Sequence, residues 1–213
     1  MQKLPLRILI YVLGLFILAI GSALTINSNL GVSPVMALPY VTSEITGIYI
    51  GRITIIFFAV LLVVQIILLR RNFKWINLTQ IIFSIIFGYF VDFAIWLLRG
   101  FMLPTYVGQV VMQVVGVICI SLGIVLFMEA KLVPLSFEGM VDAVAQIVPN
   151  GKFHIWKMIL DSAFLVISII LAFIFLGGIV GMREGTIFSA IFVGKLMPPL
   201  KKLLTPLLKL IEV

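Results

Sequence analysis

Few side chains in this chain can do chemistry. Its 213 residues hold eight carboxylates, one histidine and one cysteine. His154 and Asp161 stand two helical turns apart and would form a proton-handling pair at the inner mouth of a pathway. Lys157 lies between them, four residues before Asp161, so an i,i+4 ion pair is the plainer use of that aspartate. Asp92 falls inside an apolar run and is a candidate for a coupling ion or proton on that ground, or a partner for Arg99 two turns on. Glu138, Asp142 and Gln146 share one helical face at four-residue spacing. Asn27, Asn29, Glu44 and Glu129 are further polar groups that would line a solute site. Cys119 has no second cysteine to pair with, and one Cys with one His gives no metal-ligand spacing. A histidine without a Ser or Cys partner gives nucleophilic catalysis no basis. Acid–base work on a lipid or isoprenoid would need an activated carboxylate pair, and none is visible. The expectation is no enzyme, no cofactor and no metal.

The elements that must position these residues are set by composition. The chain is 63% apolar and only 11% charged, against about 45–50% and about 25% in a soluble domain. That is too little charge to cover a soluble surface, so a soluble enzyme or binding domain is excluded. The fold class expected is an all-α polytopic membrane protein. The net charge of +7 does not point to nucleic acid, because most basic residues stand one to three at a time beside apolar runs. Orientation signals have that pattern.

Five spans are clear by hydropathy and flanking charge, at roughly Ile8–Ile26, Ile53–Leu69, Ile76–Leu98, Tyr106–Met128 and Ile155–Ile179. The first follows Lys3 and Arg7 as in a signal peptide, but its run is too long for an h-region, and a retained helix is expected. A sixth, Gly185 to about Leu196, is short and ends at Pro198-Pro199. If all six cross from a cytoplasmic N-terminus, 12 basic residues lie inside and 3 outside. If the sixth fails to cross, the split is 8 to 7. The positive-inside bias predicts six crossings with both termini cytoplasmic. Residues 199–213 then read as a basic amphipathic tail, apolar at Leu200, Leu203, Leu204, Leu207, Leu208 and Ile211, lying on anionic lipids of the inner leaflet. Pro206 should kink it.

The chain also repeats. A shift of 102 residues places Gly14 and Gly21 on Gly116 and Gly123, and the polar break Asn27-Ser28-Asn29-Leu30 on Glu129-Ala130-Lys131-Leu132. A shift of 105 places residues 82–87 on residues 187–192 with five of six identical. Repeat one covers about 6–98 and repeat two about 106–198, within one membrane domain. Each holds three spans, an odd number, so the copies must enter the membrane from opposite sides. Many secondary transporters have such inverted repeats. The glycines, seven apart in each helix, predict close helix packing.

Between the first two spans of each half lies a stretch that reads as a short amphipathic helix. In the first half Ser33 caps and Pro34 takes the first helical position, with Val35, Leu38, Val41 or Thr42, Ile45 and Ile48 as the apolar face and Gly47 weakening the helix. In the second half Ser136 caps, Phe137, Met140, Val141, Val144, Ile147 and Val148 are apolar, and Pro149-Asn150-Gly151 stops the helix. The helices lie flat at the interfaces, or they are re-entrant. In the re-entrant case an extended Asn27–Val32 would span ~20 Å at ~3.3 Å per residue, and Ser33 and Ser136 would present helix N-termini to one another for a small solute.

Residues 30–55, LGVSPVMALPYVTSEITGIYIGRITI, carry a run that resembles the YitT/YczE-type bacterial membrane proteins. Residues 180–197, VGMREGTIFSAIFVGKLM, are similar to the ending of the same family, with Met182-Arg183-Glu184 inserted and Lys195 where a proline is common. The resemblance implies an architecture and brings no catalytic residues. The function expected is a small-solute secondary transporter working by alternating access. The rival is a non-transporting accessory, sensor or scaffold acting through a membrane partner. The expected partners are the bilayer, anionic lipids at the tail and an unidentified small solute, with a homo-oligomer left open.

Overall fold

A computed structural model describes residues 4–149 and 151–212, with the side chains of His154 and of residues 206–212 outside the description. Eight α-helices are described: α1 Leu4–Asn27, α2 Pro34–Thr46, α3 Ile50–Leu69, α4 Gln80–Leu97, α5 Tyr106–Glu129, α6 Ser136–Ile147, α7 Phe153–Leu176 and α8 Glu184–Glu212. Five helical segments are long and apolar enough to cross a membrane: Leu4–Asn27, Ile50–Asn72, Trp75–Leu97, Tyr106–Glu129 and Ile155–Leu176. They match the five clear spans within a few residues at each end. On α3, Ile56, Val60, Val63 and Ile67 are all exposed at helical spacing, as a lipid-facing stripe is. Gly177 ends α7 in the left-handed conformation, at φ 72°.

The chain divides into two compact units. The first comprises Met1–Ser33, Phe90–Leu132 and Gly181–Val213. Here α1 packs along α5, and α5 along α8. The α1–α5 contact runs through glycine. A Cβ on Gly14 would come within 2.9 Å of the Gly123 carbonyl oxygen, and one on Gly21 within 2.7 Å of the Gly116 oxygen. As the number rises on one helix it falls on the other, so the two run antiparallel, close enough to exclude any larger residue at these positions. Tyr11 and Phe127 meet edge to face beside them. The glycine spacing thus does what it predicts.

The break after each of these helices has the same backbone. Asn29 (φ 58°) and Lys131 (φ 50°) are left-handed, and among the described residues Arg70 is the only other non-glycine residue with positive φ. The stretch after α1 is a compact turn rather than the extended reach that the re-entrant case needs. The Ser28 amide donates to the Leu24 carbonyl, Val32 to Gly181, and Gly185 to Leu30. Those bonds hold the turn against the start of α8, which an extended chain would leave unpaired.

The second unit comprises Pro34–Tyr89 and Val133–Val180. Both short helices, α2 and α6, pack against α3 and α7. Contact with two helices buries more than one face. On α2 the buried residues include Met36, Ala37 and Val41, whereas Val35, Leu38, Thr42 and Ile45 are only half-buried, so the expected apolar face is rotated. On α6 Phe137 and Val141 are buried as expected, but so are Ser136, Glu138 and Gly139.

The last helix departs from expectation. Instead of a short segment ending at Pro198-Pro199 followed by a separate tail, α8 is one helix through all three prolines to Glu212. A proline ring crowds the carbonyl four residues earlier. For Pro198 that residue is Gly194, whose surroundings are open, so the local backbone has room to tilt. Lys201 then pairs with Glu129 at the end of α5, 2.5 Å away, which fastens the stretch beyond the prolines within the first unit.

Candidate functional site

Each unit buries one polar cluster, and the two differ in how completely they are satisfied. In the first unit the hub is Gln113 of α5. Its Oε1 accepts from the Ser28 hydroxyl at 2.7 Å, and its Nε2 reaches the Gly31 carbonyl at 3.1 Å, the Gly185 carbonyl at 2.9 Å and Ser189 Oγ at 2.9 Å. The amide is used at both ends. It fastens the turn after α1 to the first turn of α8, which is structural work.

In the second unit Gln65 of α3 donates from Nε2 to Gln80 Oε1 at 3.0 Å and to the Ser136 carbonyl at 2.9 Å. Ser84 and Ser136 hydroxyls lie 3.1 Å apart. Gly139, one turn into α6, leaves room for both amides, since a Cβ there would stand 2.8 Å from Gln65 Oε1 and from Gln80 Nε2. Yet Gln65 Oε1, Gln80 Nε2 and Glu138 Oε2 are buried without a hydrogen-bond partner. Buried polar atoms left unpaired cost about 1–3 kcal/mol each and call for an explanation. Two acceptors and a donor without partners beside the first turn of a helix are suited to a small polar ligand.

Charge gathers at the same turn. Glu138, third residue of α6, is only 7% exposed. Burial pushes its carboxyl above the ordinary carboxylate range, while Lys157 opposes that rise and Asp161 adds to it. Lys157 of α7 pairs with Asp161 at 3.3 Å, and its Nζ also lies 4.7 Å from the ring centre of Phe137. The i,i+4 reading of Lys157 and Asp161 therefore holds. Asp161 keeps a second role open, because its Oδ1 is buried and unpartnered. The His154 side chain, its expected proton partner, lies outside the described residues.

The remaining candidates are dispersed. Asn27 donates to the Leu98 carbonyl at 2.8 Å and closes the end of α1. The Asn29 carbonyl accepts from Arg183 at 3.2 Å, Glu129 holds Lys201, and exposed Asp142 accepts from Gln146 at 2.7 Å. Glu44 is exposed on α2, where burial first and then Glu44 itself push the Tyr40 phenol up to about 12. Asp92 is half-buried on α4. Ser33 is buried in the first unit, directly before Pro34 at the start of α2, as its spacing predicts. Ser136 is not the cap of α6. That position is held by Leu135, which has no capping side chain, while Ser136 is already helical and bonded to Ser84. Its carbonyl accepts from Gln65 Nε2, about one turn before the end of α3.

Gln65, Gln80, Ser84 and Gln113 are the residues that a search for ionisable groups within spans passes over. For Gln65 and Gln113 the signal is in the sequence all the same, as single amides in the runs LLVVQIILL and VVMQVVG.

A model of a family of unknown function, DUF6198, matches residues 5–202. An uncharacterized membrane protein of Bacillus subtilis (strain 168), YczE, is 28% identical over 197 residues, which cover 92% of this chain and 86% of that protein. No solved structure matches.

Proposed function

The chain belongs to the DUF6198 family, as a multi-pass membrane protein of YczE type, and from that premise we propose that it is a small-solute secondary transporter. It has six crossings, α8 being the sixth, with both termini cytoplasmic. Two inverted halves alternate access to a site in the second unit. The observation that carries this reading is the reciprocity of the α1–α5 contact. Under the 102-residue shift Gly14 becomes Gly116 and Gly123 becomes Gly21, so the contact Gly14–Gly123 maps onto Gly21–Gly116. Two antiparallel copies of one helix related by a two-fold axis give that result. The left-handed pair Asn29 and Lys131, also 102 apart, supports it, as does the exchange in the second unit, where α2 and α6 both pack on α3 and α7. The solute sits at the start of α6, among Gln65, Gln80 and Glu138, and offers donors to the two free acceptors.

The test uses a Cys119→Ala chain with a single cysteine at Ser136. Alternating access expects an impermeant thiol reagent to reach it from either face of the membrane, with protection by a transported solute. Labelling from neither face, together with stable co-purification of one membrane partner, would replace transport with the accessory reading.

A further inference from the structure

The second unit holds a charged triad whose balance is one proton short of settled. Glu138 Oε2 and Asp161 Oδ1 are both buried and unpartnered, and among the described side chains the cation that acts on both carboxylates is Lys157. With both carboxylates ionised the triad carries a net −1 in a buried setting. With one protonated it is neutral. Around α6 the described side chains that are buried add no charge; Arg70, Arg71 and Lys74 flank Phe73, which packs with Ala143 of α6, but are exposed, and the His154 side chain lies outside the description. From α3 comes Gln65, whose side chain is uncharged, and the only ionisable residue of that helix, Arg52, lies about 20 Å along it. Gln80 and Ser84 are uncharged. On α6 itself Asp142 is exposed and bonded to Gln146, and on α7 only His154 is added to Lys157 and Asp161.

We propose that Glu138 exchanges a proton, and that Lys157 turns between Asp161 and Glu138 as it does so. The position of Lys157 suits the exchange. It holds Asp161 on its own helix, yet lies over the ring of Phe137, the residue next to Glu138. When Glu138 is protonated, Lys157 stays with Asp161. When the proton leaves, the new carboxylate competes for the same ammonium, and the first turn of α6 is drawn toward α7. As the coupling step of transport this rests on the reading above, while the proton site itself does not.

The experiment is an infrared pH titration of the purified full chain in lipid nanodiscs, with no solute present. A protonated-carboxyl band is expected that titrates above the ordinary carboxylate range and is lost in Glu138→Gln. Asp161→Asn is expected to lower its midpoint, and Lys157→Met to raise it. If Glu138→Gln does not fold, Glu138→Asp is expected to keep a titrating band at a displaced midpoint. A band unchanged in Glu138→Gln would overturn the proposal, as would a midpoint that moves with sodium at fixed ionic strength, which marks a metal cation instead. Intact titration without any solute uptake would support the proton site and remove the transporter reading alone.

Discussion

Two buried glutamines of the same type do different work, and the difference is measurable. Gln113 uses both ends of its amide on four groups of the first unit, whereas Gln65 leaves Oε1 without a partner in the second. Replacing Gln113 by Leu removes the amide from Ser189 Oγ and from the Gly31 and Gly185 carbonyls, while Ser28 keeps Thr25 and Leu30, at an expected cost of about 1–3 kcal/mol. Replacing Gln65 by Leu is expected to cost clearly less, because it also removes an unpaired acceptor. Thermal melting in detergent compares the two, and equal losses would contradict the division of roles. Glu138 adds a pH dependence whose sign is fixed. Its folded carboxyl lies above the ordinary value, so its contribution to stability is full below the unfolded value and is lost as pH rises through the folded one. The melting temperature is expected to fall as pH rises from the ordinary carboxylate range through the raised folded value, and Glu138→Gln should flatten that slope.

At the scale of elements, the contact between α1 and α5 depends on four glycines that let backbone meet backbone. A Cβ at Gly123 would stand 2.6 Å from the Gly14 carbonyl oxygen and from the Leu18 amide nitrogen, neither of which can step aside as a side-chain tip can. Gly123→Ala should force the helices apart and cost about 1–3 kcal/mol, the usual range for overpacking. Gly194→Ala on α8 is the control, since open space surrounds it. It should be neutral or slightly stabilising, because alanine is the better helix former. Similar losses at both positions in a melting assay would mean that the glycines matter for backbone freedom rather than for contact.

For the whole molecule the decisive number is the count of crossings. The basic residues divide 12 to 3 with six crossings and 8 to 7 with five, and α8 is a single helix from Glu184 to Glu212. A single cysteine at Val213 in the Cys119→Ala chain should resist an impermeant thiol reagent in intact cells and react once they are opened. Labelling of intact cells would place the tail outside, leave five crossings and break the inverted relation of the halves. The transporter reading would then lose its main support.

Much of this fold was legible because lipid makes simple demands. A crossing helix needs about 20 apolar residues, close packing in lipid needs small ones, and the five spans and the glycine pairs follow from those rules alone. So did the Lys157–Asp161 pair, which depends only on spacing along one helix. The rest depended on contacts far apart in sequence. Which face of α2 is buried was decided by α3 and α7 together, and the compact turn at Ser28 by Gln113, 85 residues away. Continuation of α8 past Pro198 goes with the hold of Glu129 on Lys201. Glu138 reads in sequence as one polar position on an amphipathic helix. It becomes a buried carboxylate with a free oxygen only because α6 is packed on both α3 and α7, and no local pattern records that.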